Sequence, residues 1–189
     1  MTSSEQLLIQ QTKAWVKDIV IGFNLCPFAR RPFDDDTIDY IVAGRQDDKP
    51  LIEQHLHKLA DCFNKLNNTA DIQTCLLIFA DGYERFDDYL ELLHFANLLL
   101  DDLNYSGRYQ LASFHPQYLF EGSSEDDASN FSNRSPYPML HIIREHSLEN
   151  AIAGYPDIDQ VPENNIKKLQ HIGHRKMQQL LDDILHRQS

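Results

Sequence analysis

The sequence predicts an α/β domain built on a four-stranded mixed sheet packed with helices, and three observations predict it. Strand-like apolar runs alternate with stretches of helical period across residues 38–115, in the order strand, helix, strand, helix, strand. The run through Cys75-Leu76-Leu77-Ile78-Phe79 is apolar without interruption, as a strand buried on both faces requires. No repeat or linker divides the 189 residues, a length that suits a single domain spanning 1–189.

Each element follows from its own signals. Ser3 with Gln6 forms a capping box, and Leu8, Trp15, Ile19 and Phe23 recur at helical spacing, so a first helix is expected over 4–22, with Gly22 as its left-handed terminator. The β-branched and aromatic residues of 38–43 predict a strand. Ile52, Leu56, Leu59, Phe63 and Leu66 predict an amphipathic helix over 51–66, and 74–80 is the second strand. Residues 86–103 are apolar around most of a helical circumference, which predicts heavy burial. A third strand is expected at 109–115.

Residues 139–153 fit a single helix or a strand followed by a helix. Pro136 and Pro138 favour extended backbone in what precedes them, and Ser147 is a good N-cap. The favoured reading is a strand at 139–145 and a short helix at 148–153. A last helix is predicted at 163–185, with Gly173 inside its apolar stripe marking a close backbone contact. Two serial strand-helix-strand units imply parallel pairing, and the fourth strand returns most simply antiparallel to the third.

A net charge of −12 opposes nucleic-acid binding, which depends on Lys and Arg displacing counterions from phosphate. No apolar run reaches the roughly 20 residues of a membrane helix, and the N-terminus does not read as a signal peptide, so a cytoplasmic location is expected. Cys26, Cys62 and Cys75 imply neither a disulfide framework nor a zinc knuckle.

Candidate chemistry concentrates between Ser113 and His141. Ligands in open α/β sheets bind beyond the carboxyl ends of parallel strands, here near Gly44-Arg45, Asp81-Gly82-Tyr83 and His115-Pro116. A fourth strand returning antiparallel would bring His141 toward His115, with Arg134 carried on the loop between them. Histidine suits acid–base work near neutral pH, the Arg134 fork suits a carboxylate or phosphate, and Asp81 would orient an imidazole. Asn133 and Arg144 join as candidate binding residues. Cys26 is read either as a nucleophile or as packing, since it follows a helix C-terminus whose dipole opposes a thiolate. The polar tip 121–127 of the loop reads as a lid or as a surface insertion. His55 and His57, like His171 and His174, read as exposed pairs.

The segments Asn24-Leu25-Cys26-Pro27-Phe28-Ala29, Ser113-Phe114-His115-Pro116 and Asn133-Arg134-Ser135-Pro136-Tyr137-Pro138, leading to His141-Ile142-Ile143-Arg144-Glu145, together resemble the bacterial family catalogued as domain of unknown function 1415. The resemblance spans nearly the whole chain. It implies that Cys26, His115, Arg134 and His141 lie in the family's motif segments, and it implies no reaction, substrate or cofactor.

The leading expectation is a small enzyme acting on an anionic small molecule, with His115 as acid or base, Arg134 binding the anion, and His141 and Cys26 assisting. On that expectation His115→Ala abolishes turnover and leaves the melting temperature nearly unchanged. One alternative is a non-catalytic ligand-binding or protein-interaction module; another is a metal-dependent enzyme using His115 and His141 with Cys26 or a carboxylate. If the motifs instead brace the long loop, Arg134 should be buried against backbone carbonyls, and Arg144 would pair with Glu145.

Overall fold

The structure is a computed structural model that describes residues 2–155 and 157–187. Its four strands are β1 (Ile38–Ala43), β2 (Thr74–Phe79), β3 (Tyr109–Phe114) and β4 (Met139–Arg144). They form one mixed sheet in the order β1-β2-β4-β3. β1 and β2 are parallel, while β4 runs antiparallel to both β2 and β3. The α/β class and the mixed four-stranded sheet are as the sequence predicts. The strand order adds that β4 inserts between β2 and β3, so β2, with all six residues buried, is central.

Helices cover both faces. The crossover helices α3 (Leu51–Asn68) and α4 (Phe86–Asp102) pack on one face over Cys75, Leu77, Phe79, Leu140 and Ile142. On the other face lie α1 (Ser3–Trp15), α6 (Val161–Ile172) and α7 (His174–Leu185), closing on Leu76, Ile78 and Met139. The alternation of side chains along β2 and β4 supplies both cores at once. A short α2 (Arg30–Asp34) precedes β1, and α5 (Glu145–Ala153) follows β4 directly.

Several local expectations are corrected. The first helix is capped by Thr2 in a capping box with Glu5, and it widens into a π-helix over Val16–Ile21. Gly22 is right-handed; its lack of a Cβ matters because one there would meet the Asp18 carbonyl oxygen at 2.2 Å, and the left-handed residue of the turn is Asn24. α5 starts at Glu145, three residues before the expected start at 148, with Arg144 and not Ser147 at its N-cap. The last helix is broken in two: Gly173 sits at φ 85, ψ 150, a conformation open only to glycine, and nothing lies within 4 Å of where its Cβ would be. It ends a helix; it does not let another segment approach. α4 buries only one stripe, Tyr89, Leu92, Ala96 and Leu100, and leaves Leu90, Phe95 and Leu98 exposed.

Candidate functional site

His115 follows the last residue of β3 and enters the α3–α4 core, where its ring packs on Phe86 and Tyr89 at centroid distances of 5.2 Å. Its Nε2–H donates to the Tyr83 carbonyl at 2.7 Å, and its Nδ1 accepts the Gln117 N–H at 3.0 Å. Both nitrogens are therefore spent on the backbone. Burial lowers the pKa, partly offset by the bond to Tyr83, so the ring is held neutral with a fixed tautomer.

Arg134 is also spent on the fold. Its Nε donates to the Tyr118 carbonyl at 3.1 Å and its terminal nitrogen to the Glu125 carbonyl at 2.9 Å, with the guanidinium over the Phe131 ring. The Trp15 indole N–H donates to the Arg134 carbonyl at 3.0 Å, pinning the loop to α1. Asn133 donates from its side chain to the Ser113 carbonyl at 3.0 Å. The expected lid tip is stapled as well: Asn130, fully buried, accepts from Phe120 N–H and donates to the Ser124 carbonyl. The 116–138 loop is a braced cap on the end of the sheet.

His141 does not join His115. It stands opposite Ala112 on β3 and Leu76 on β2, on the α1 side of the sheet, where Phe114 is its aromatic neighbour. Strand alternation thus places the two rings on opposite faces. The Thr74 hydroxyl donates to the Ile142 carbonyl at 2.6 Å, which leaves His141 Nε2–H to donate to that hydroxyl oxygen, also at 2.6 Å. Burial lowers the pKa of His141 to about 4.

Arg144 caps the end of α3, donating to the carbonyls of Leu66, Thr69 and Ile72 and to the Tyr109 hydroxyl; it takes this place instead of a pair with Glu145. Cys26 lies beyond the π-helix, where burial raises its pKa against the bonds from Phe28 and Ala29 N–H, the reverse of what activates a thiol. Among the described residues no three His, Cys, Asp or Glu side chains converge on a metal position. His115, His141 and Cys26 remain apart.

The residues that do converge lie at the carboxyl edge of β1 and β2. His55, on α3, is 1% exposed, the opposite of the exposed position expected. Its Nδ1 is 3.0 Å from the Tyr83 hydroxyl, its ring lies 4.9 Å from that of Phe79, and its Nε2 is buried without a partner. Burial lowers the pKa to about 4, with the Asp81 carboxylate raising it and Arg45 lowering it further. Tyr83 has a left-handed backbone at φ 61 directly after Gly82 at φ 79, a strained turn for a bulky residue. That strain is held by His115 at the Tyr83 carbonyl and met by His55 at the hydroxyl. The Asp81 carboxylate accepts the Arg45 N–H at 2.8 Å and joins the two loops of the edge.

The N-termini of α3 and α4 both point to this edge, and neither has a side-chain cap. On the α1 side a hollow of about 430 Å³ opens between Thr2, Glu5, Leu8, Val42, Gly44 and Asp81. The sequence points to this edge and to Asp81 and Tyr83 at it, but not to His55 or to the bonds that Tyr83 makes. A signal for His55 exists, since it precedes Leu59, Cys62 and Leu66 at i+4, i+7 and i+11, on the buried stripe of α3.

Fold and site together define a small α/β protein whose described residues include no helix long and apolar enough to cross a membrane. Residues 7–179 match the family model described as protein of unknown function (DUF1415), and the chain belongs to that family. No curated protein and no solved structure matches it.

Proposed function

We propose that the chain is a small enzyme acting on an anionic small molecule at the carboxyl edge of β1 and β2, with His55 as its acid–base group. The observation that carries this reading is His55 Nε2, a buried polar atom left without a partner in a network whose other members are satisfied. Orphaned buried nitrogens are costly and call for a reason. With Nδ1 engaged by Tyr83, Nε2 is the atom free to exchange a proton or hold a ligand oxygen. Arg45 and the two uncapped helix N-termini supply positive potential for the anion. His115 becomes a positioning residue, since it acts on His55 only through the strained Tyr83. The segment 45–50 is strapped to Gln54, next to His55 on α3, and its displacement would open the site. The setting we propose is the bacterial cytoplasm, a reading supported by composition and by the family resemblance.

A thermal-shift screen of phosphorylated and carboxylated metabolites tests this. A stabilising anion is expected, and ligand at a hundred times its dissociation constant adds about 2.7 kcal/mol. Arg45→Ala should remove the shift without changing the unliganded melting temperature, because only the Arg45 backbone N–H is engaged and its side chain is exposed. A screen with no shift, or a shift that survives in both Arg45→Ala and His55→Gln, would sink the assignment.

A further inference from the structure

The exposed side of α4 carries an ordered pattern. Helical spacing aligns Asp88, Glu91, Phe95, Leu98, Leu99 and Asp102 along one flank, at i, i+3, i+7, i+10, i+11 and i+14. Phe95 is 40% exposed and Leu98 45%, although both are large and apolar. Phe95 and Leu99 border, with Ile52 and Leu56 of α3, an apolar groove of about 330 Å³, and Leu98 lies beside it on the same flank of α4. Carboxylates stand at both ends of this stripe, and Asp88, Glu91 and Asp102 make no ion pair among the described residues. No Lys or Arg occurs anywhere in α4. On the α3 side, Lys49 reaches Glu53 at 4.0 Å, while Lys65 turns to the other flank and bonds Asp39 on β1 at 2.6 Å.

We propose that the α3–α4 groove is a docking surface for a basic amphipathic helix of another protein. An exposed apolar strip bounded by charged residues has the make-up of an interaction site, and a helix laid along it would meet Phe95, Leu98, Leu99 and Leu56 with its own apolar face. The carboxylates select the occupant by charge: Lys or Arg at the ends of that helix would face Asp88 and Glu91 at one end and Asp102 at the other. The same charges exclude two competitors. A second copy pairing α4 with α4 sets carboxylate against carboxylate, whether the two helices run parallel or antiparallel. An anionic lipid surface is repelled in the same way, and the chain's net charge of −12 adds to both effects.

The test uses the full chain and a fluorescently labelled amphipathic helix of leucine and lysine about 14 residues long, near the length at which isolated helices become stable. Anisotropy should report binding that weakens with salt. The charge-preserving double variant Phe95→Ser with Leu98→Ser should weaken it about tenfold, as loss of apolar anchors does. The triple variant Asp88→Asn, Glu91→Gln and Asp102→Asn should weaken it too and flatten the salt dependence. Both variants alter exposed side chains only. Any of three results overturns the proposal: affinity unchanged in the double variant, a leucine–glutamate helix that binds equally well, or a self-associating wild type that the double variant renders monomeric in sedimentation velocity.

Discussion

His115 and Tyr83 are joined across 32 residues by one bond, the His115 Nε2–H donating to the Tyr83 carbonyl at 2.7 Å. That bond lies where β2 ends in a left-handed turn and β3 ends beneath the long loop, so one imidazole ties the ends of two strands that are not neighbours in the sheet.

His115→Ala is therefore expected to destabilise the fold, contrary to what a purely catalytic histidine predicts. It leaves the Tyr83 carbonyl and the Gln117 N–H unpaired and opens a cavity against Phe86 and Tyr89. The cost should be about 3 kcal/mol in urea unfolding. A variant as stable as the wild type would show that the bond carries no weight.

Arg134→Lys keeps the charge but loses the planar fork that reaches Tyr118 and Glu125 together. We expect a loss of about 1–3 kcal/mol, the range for buried carbonyls left unpaired. Limited proteolysis should locate it: cleavage within 116–128 should become faster than in the wild type, with no new sites in β2 or β4.

Stability should fall as the pH is lowered from about 6.5 toward 4. In the folded chain His55 and His141 resist protonation until about pH 4, whereas in the unfolded chain each titrates near the ordinary 6.5. Between those values the unfolded state binds more protons, so unfolding is favoured as pH drops; above 6.5 both states are neutral and the contribution is flat. Each histidine accounts for on the order of 3 kcal/mol across the window. Urea titrations at several pH values should show the slope, and His141→Gln should reduce it by about 1.4 kcal/mol per pH unit in mid-window.

The sheet was legible because strands and helices here carry unmixed periods. Thr74–Phe79 has no polar interruption, and α3 keeps its stripe from Ile52 to Leu66. What the sequence did not disclose depended on contacts between distant segments. That β4 enters between β2 and β3 is decided by pairing, and the register of that pairing, through strand alternation, turns His141 to the face away from His115. Arg134 and Arg144 look alike as free cations in the sequence, yet both are consumed by carbonyls 9 to 78 positions away. The break at Gly173 was hidden because the apolar stripe continues on both sides of it; glycine's tolerance of φ 85 decided the matter. His55 was legible in principle, since its spacing with Leu59 and Cys62 is that of a buried residue.

The strand order sets a sequence of events for a chain made from its N-terminus. β1 and the two crossover helices are complete by residue 102, but the inner edge of β2 stays unpaired until β4, ending at Arg144, has been synthesised. Until then a strand that is apolar from Cys75 to Phe79 offers open hydrogen-bonding groups, the kind of edge that recruits foreign strands. A nascent chain stalled before residue 139 is thus an aggregation hazard, and the last quarter of the polypeptide protects strands made long before it.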